Sequence, residues 1–502
     1  MANVDTNNVT LSFAIESTLG TLPTTPTWLL LEPNTIDTFG ATLTTVAREP
    51  ISRNRQRRKG VPTDLDSTVG FQTDITLSGL QRFLPTFIFA SYRGAIDAIP
   101  SAVTATAYTV ADPGNDIPQH SLVVARGLGL SSNNGLKVVG IGATNTSIPI
   151  VGGLTAETTA PANSIVEVAG FQGTTDDLAV VVTGAVVQIT SLGAINFTDP
   201  AYDLIPGAAI FIGGTDTANR FDEAANFGYA VVVSVEALTL TIEQTALPFV
   251  SDAGTGKLIQ IFVGKYLRNV PVNETGDFNR QSLQFEATYP DLIAVGTPGY
   301  EYAEGNYCNE LTLNLPLTDK ATMGLTFVGT DAQPPSATRR ANAQNAVSPT
   351  LTGAFSTSID IARLRLGGLD EAGLTTDFKS LTLTLSNNVS PEKVLANLGA
   401  RNLNLGTLAV SVEAQMLFTD IRIPQAIRNN ETFTLDFALR NDDGAAHFNM
   451  PTITLGGGGR DFPQNETVLI NTTQDSFGDP LNLDISLGVT LFAFAPETAI
   501  QL

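Results

Sequence analysis

At 502 residues, with 43% apolar and only 15% charged residues, the chain is neither a single compact core nor disordered for want of one; its length points to roughly two to four folding units. Its 27 basic and 49 acidic residues leave a formal net charge of −22, which argues against a general affinity for nucleic-acid phosphate and fits a particle that does not adhere to DNA or anionic membranes. A single cysteine, Cys308, excludes an intramolecular disulfide and a cysteine-based zinc site, so packing and backbone pairing must hold the fold.

In chain order, the N-terminal MANVDTNNVTLSF carries neither a basic stretch nor an apolar run of signal-peptide length, and no window approaches 18 apolar residues. Synthesis in a cytoplasm, and departure only within an assembly, is the expectation. The segment REPISRNRQRRKG then gathers Arg48, Arg53, Arg55, Arg57, Arg58 and Lys59, six of the 27 basic residues within twelve positions. In an acidic chain such a run has three readings. It contacts acidic surface on another copy, through guanidinium–carboxylate pairing; it is a solvated loop; or it binds nucleic acid. The last is disfavoured by the rest of the chain, which repels phosphate, and by the lack of interleaved aromatics for base stacking.

Leu80, Phe83, Leu84, Phe87 and Ile88 recur at helical spacing and predict an amphipathic helix, with Pro85 expected to kink it or end its first part. From Ser101 to Gly264 only Arg126, Lys137, Arg220 and Lys257 are basic, against fourteen acidic residues. Within this stretch LVVARGLGLSSNNGLKVVGIGATNTSIPIV echoes AIFIGGTDTANRFDEAANFGYAVVVSVEALTLTIEQ as strand, polar loop with Asn and Gly, strand, turn, strand. Residues 101–265 therefore read as an insertion of two β-modules, 101–173 and 174–265, dividing one domain into flanks 1–100 and 266–502. Three domains in series is the alternative.

Beyond it, period-2 alternation dominates: Leu381, Leu383 and Leu385; Val410, Val412, Ala414 and Met416; Phe433, Leu435, Phe437 and Leu439; and Leu481 through Leu491 on odd positions. A one-residue slip would turn each set into water, so register is strongly specified and the fold class is all-β. A second helix is expected in VSPEKVLANLG, from Ser390 as N-cap, Pro391 at the first helical position, the Val389–Val394 spacing and Gly399 as C′ residue.

Catalytic chemistry is not assembled anywhere in the sequence. Of the two histidines, His447 has Asp442 and Asp443 nearby but no G-x-S-x-G elbow, and is expected to be an ordinary strand or loop residue. The GGGG run at 456–459 lacks phosphate-loop spacing and reads as a flexible connection. DPGND at 112–116 and NDDGA at 441–445 read as turns rather than calcium loops. No enzyme activity, cofactor or metal is expected.

Three segments resemble the tail tube family of long non-contractile-tailed bacteriophages (siphophages). They are TTVAREPISRNRQRRKGVPTDLDSTVGFQTDITLSGLQRFL, FKSLTLTLSNNVSPEKVLANLGARNLNLGTLAVSVEAQMLFTD and NETFTLDFALRNDDGAAHFNMPTITL, and it is their order and spacing that carry the match. The resemblance spans about the first 100 residues and from about residue 280 onward; residues 101–265 lie outside it. It implies a β-sandwich or half-barrel whose copies close into hexameric rings. The rings stack into a hollow virion tail tube that passes genomic DNA without binding it specifically and meets other tail proteins at its ends. The basic loop would reach toward a neighbouring ring. The competing reading is a β-rich surface adhesin or carbohydrate-binding protein, suggested by the Gly- and Thr-rich middle and opposed by the presence of only one tryptophan, Trp28.

Overall fold

A computed structural model describes residues 4–497 apart from 52, 54, 95, 112–115, 244–248, 272–276, 341–342, 344–345, 349–351, 368–376, 420 and 480–482. The described chain is all-β with two short helices. It divides into two compact units: residues 1–90, 270–357 and 379–414, and residues 91–269, 358–378 and 415–502.

In the first unit Thr10–Ile15 pairs with Leu283–Ala294, which pairs with the 19-residue strand Thr297–Leu315. That long strand serves two neighbourhoods. Its first half also pairs with Asp331–Ser336, and its second half with Thr322–Gly329 and Phe378–Ser386. Between the halves Gly305 takes φ +60, and a Cβ there would fall 2.3 Å from the Thr330 hydroxyl, so the bend requires glycine. The predicted first helix forms as α1, Leu77–Ile88, with Thr76 Oγ1 accepting from the Gly79 N–H at 3.0 Å. Its five stripe residues are all buried, and Phe83 packs on Phe13 (5.5 Å) and Phe71 (5.9 Å). Pro85 does not end it; the helix runs on to Ile88, and the Thr86 hydroxyl donates to the Phe83 carbonyl at 2.8 Å.

The second expected helix does not form. Ser390–Glu392 is a strand paired with Asn402–Asn404, and Asn388 and Ala396 adopt positive φ. The reason lies in packing. Val394, Leu395 and Leu398 are exposed, so the intended apolar stripe has nothing to bury against, and capping signals alone do not hold a short helix together.

In the second unit Ile361–Gly367, Thr432–Asn441, Gly444–Asp461 and Leu469–Ser476 pair in that order, and Gly444–Asp461 also pairs with Gly488–Phe492. Here lies the other helix, α2, Arg422–Asn429, which burial of Ile423 and Ala426 anchors and Asn430 caps in the left-handed conformation (φ 51). The four glycines at 456–459 are not a loop. Gly444–Asp461 runs through them, bulging between Gly457 and Gly459, with φ +75 and +85 at Gly457 and Gly458. The long C-terminal strand expected from Leu481 is also corrected to Gly488–Phe492. Leu483 and Asp484 have positive φ, and the Asn269 side chain accepts from the Ser486 N–H at 3.1 Å in place of a ladder partner; residues 481 and 482 lie outside the described residues. NDDGA forms the two-residue turn between Asn441 and Gly444; most of DPGND is outside the described residues. The acidic middle stretch forms a ten-stranded and a three-stranded sheet within this unit. One face of the ten-stranded sheet (Leu122, Phe211, Phe262) shares a core with Ala438, Ala445 and Phe492.

Candidate inter-subunit surface

Thr35–Arg48 and Arg58–Asp74 form an antiparallel hairpin, in register from Thr35 opposite Gln72 to Arg48 opposite Arg58. Its root is a sheet strand, since Ser67–Asp74 is backed by Thr322–Gly329. Beyond Ser67 that backing ends, and at about 3.3 Å per residue the hairpin continues as a two-stranded arm about 30 Å long. Among the described residues Thr35–Arg48 pairs with no other strand, so its outer edge is open along 14 residues. An isolated two-stranded ribbon is marginal in water, and this one exposes Leu43, Val46 and Val61 along its length and Ile51 at its tip.

The predicted contact residues gather at this tip. Arg48 ends the first strand, Arg58 and Lys59 begin the second, and Arg53, Arg55 and Arg57 lie in the connecting loop; all six are exposed. Arg55 has φ +51, uncommon for a side chain of its size. Local carboxylates do little to neutralise the group. Arg57 Nε meets Glu49 Oε1 at 3.1 Å in solvent, while Arg48 and Arg58, like charges, face each other directly across the ribbon. The arm's root is braced by residues that the sequence pattern did not single out: Lys393 Nζ lies 2.5 Å from Asp64 Oδ1 and 2.6 Å from Asp66 Oδ1. Those bonds hold the Asp64 carboxyl below the usual carboxylate range and the Lys393 ammonium above its own. No sequence spacing links positions 64 and 393; only the fold brings them together.

The other candidate chemistry resolves into structure. His447 is buried on Gly444–Asp461 beneath the ring of Tyr229, with centroids 5.4 Å apart. Its partner is neither Asp442 nor Asp443 but Asp436, whose Oδ2 lies 3.3 Å from His447 Nε2 and also takes Arg363 Nε. Burial pushes the His447 pKa down despite that carboxylate. Burial pushes the Asp436 carboxyl up, but Arg363, His447 and Arg365 outweigh it and hold it below its usual range. Among the described residues no nucleophile is hydrogen-bonded to it, and the histidine sits in a buried network with Asp436 and Arg363. Burial likewise raises the Cys308 thiol well above its ordinary value. Among the described residues no three His, Cys, Asp or Glu side chains come together as a metal site.

A family model described as phage tail tube protein matches residues 6–476 of the chain. No curated protein matches it.

Proposed function

Because the chain belongs to the phage tail tube protein family, and is thus a structural component of a virion tail, we propose that its copies close into rings that stack into a hollow tube delivering DNA to the host. Hexameric rings and a long non-contractile tail are what the sequence resemblance implies, as are assembly in the host cytoplasm and contacts with other tail proteins at the tube ends. The observation that carries the reading is the arm. An open-edged, apolar-flanked ribbon ending in six exposed cations, on a chain of net charge −22, suits a carboxylate-bearing surface on another copy. Arg48, Arg53, Arg55, Arg57, Arg58 and Lys59 are the contact residues on this reading. The same excess negative charge suits a conduit that DNA passes without adhering. The adhesin alternative loses its one tryptophan as a platform, since Trp28 is buried at 1% exposure. Cross-linking a cysteine placed at Arg55 in purified tubes tests the contact: adducts between subunits support it, and adducts confined to single chains contradict it.

A further inference from the structure

The two halves of the acidic middle stretch share a plan deeper than the echo of their sequences. Apart from the two-residue strand Asp97–Ala98, which pairs with Val166 and Glu167 and has no counterpart in the second half, the described residues of the first half form six strands: Pro100–Val103, Ala107–Val110, Ser121–Arg126, Gly135–Val138, Ser147–Pro149 and Ile165–Gln172. The second has Leu178–Thr183, Val186–Ser191, Ala209–Ile212, Gly228–Val235, Thr239–Ile242 and Gln260–Val263. In each the first strand pairs with the second, the second with the fifth, and the third with both the fourth and the sixth. Matching rungs follow: Val123 faces Lys137 and Val168, and Ile210 faces Ala230 and Val263. In the second half the fourth and fifth strands form a full ladder, where the first half keeps a single bridge between Val139 and Ile150.

Short strands resemble one another readily, but side-chain devices at matching places do not. Between the third and fourth strands each half makes a 3-10 turn ending in a fully buried asparagine, Asn133 or Asn226, with its own N–H bonded at 3.0 Å to the carbonyl of Leu130 or Glu223. Each amide then grips one distant backbone position from both sides. Asn133 Nδ2 donates to the Thr155 carbonyl (2.7 Å) and Oδ1 accepts from its N–H (2.8 Å). Asn226 does the same with Val250 (2.8 and 3.0 Å). Two residues further on, each half has an acid whose side chain accepts an N–H at the start of the turn: Glu157 from Leu130 and Asp252 from Glu223, both at 3.1 Å. The backbones of those acids exchange paired hydrogen bonds with the first strand, Glu157 with Val103 and Asp252 with Val180, at 2.8–2.9 Å.

The halves meet through their equivalent sixth strands, antiparallel, with Gly170 opposite Phe262, Phe171 opposite Ile261 and Gln172 opposite Gln260. A Cβ at Gly170 would lie 2.1 Å from the Ile261 carbonyl oxygen, so this approach is open to glycine alone, and Gln260 Nε2 donates to Gln172 Oε1 at 2.8 Å. Contact of like strand with like strand is the geometry of a self-complementary interface.

We propose that residues 97–172 and 173–263 are two copies of one module, and that the Gly170–Gln172 end of the sixth strand's edge is a recognition surface whose partner is a second copy of that module, supplied here by the same chain. Each copy stands on its own clamp, Asn133 or Asn226, and the interface between them is a separable contact. Hydrogen exchange on the full-length protein tests both parts. In N133A the Thr155 amide, and in N226A the Val250 amide, should exchange at least tenfold faster, by factors agreeing within about threefold. In G170V those amides of 260–263 that face Gly170–Gln172 should lose at least tenfold protection, while those that face Ala209–Ile212, and the Thr155 and Val250 amides, keep theirs. A response to only one of the two clamp variants would overturn the equivalence of the copies. Unchanged exchange of the 260–263 amides that face Gly170–Gln172 in G170V, or collapse of both clamps along with them, would overturn the separable interface.

Discussion

Reversing Arg55, Arg57 and Arg58 to glutamate should weaken tube growth while leaving each subunit folded. Within the subunit the change nearly cancels. Arg57 and Glu49 are 80% and 63% exposed, so losing that pair sacrifices only about 0.2–1 kcal/mol before screening. Arg58→Glu meanwhile replaces a like-charge pair across the ribbon with an Arg48–Glu pair, a gain of about the same size. Between subunits the terms add instead. Each reversal exchanges an attraction of about 0.2–1 kcal/mol for a comparable repulsion, so three amount to roughly 1–6 kcal/mol per contact, a loss of about tenfold to ten-thousandfold in affinity. High salt should imitate part of this in the unmodified protein, because the screening length falls from roughly 8 Å at 0.15 M to about 3 Å at 1 M. Tube length by negative-stain microscopy, thermal melting of the subunit and DNA retention by gel shift are measured on one preparation. Shortened or absent tubes with an unchanged melt are expected. Normal tubes with lost DNA retention would refute the contact reasoning and turn the arm toward DNA.

Asp436→Ala should destabilise the second unit by about 3–5 kcal/mol, since it strands buried Arg363 and Arg365 without their shared carboxylate; a urea midpoint that stays in place would contradict the network's role. His447 titrates lower in the folded protein than its ordinary 6.5, so its contribution is present above that value and lost as pH falls below it. The drop in stability between pH 8 and pH 5 should accordingly shrink in His447→Gln, measured by urea unfolding at both pH values. Cys308, buried and with its thiol pKa raised, should resist a thiol-specific reagent at pH 8 until the protein is unfolded; fast labelling of the native form would count against its burial.

The all-β class was legible because alternation over Leu381–Leu385, Val410–Met416 and Phe433–Leu439 is a direct consequence of one buried face, and those positions are buried. The helix at Leu77–Ile88 was legible for the same reason at a different period. Capping residues misled at Ser390 because they report only what a helix end would like, whereas the side chains that follow have no surface to cover. α2 was hidden because Arg422–Asn429 is only eight residues long: Ile423, Ala426 and Ile427 keep helical spacing, but over barely two turns that pattern does not stand out from the strands around it. The glycine run misled in the opposite sense: its flexibility serves a bulge within a strand, which composition cannot distinguish from a loop. At the candidate surface the cations were visible as a charge run, but the unsupported ribbon beneath them and the Lys393 brace depend on pairings across hundreds of residues.

The central claim, that this chain builds a tube by self-association, is tested most directly by sedimentation and negative-stain microscopy of the purified full-length protein across a rising concentration series. Rings and stacked tubes, with no monomer boundary persisting at high concentration, are the expected result; a stable monomer at every concentration, with no rings on the grid, would contradict it.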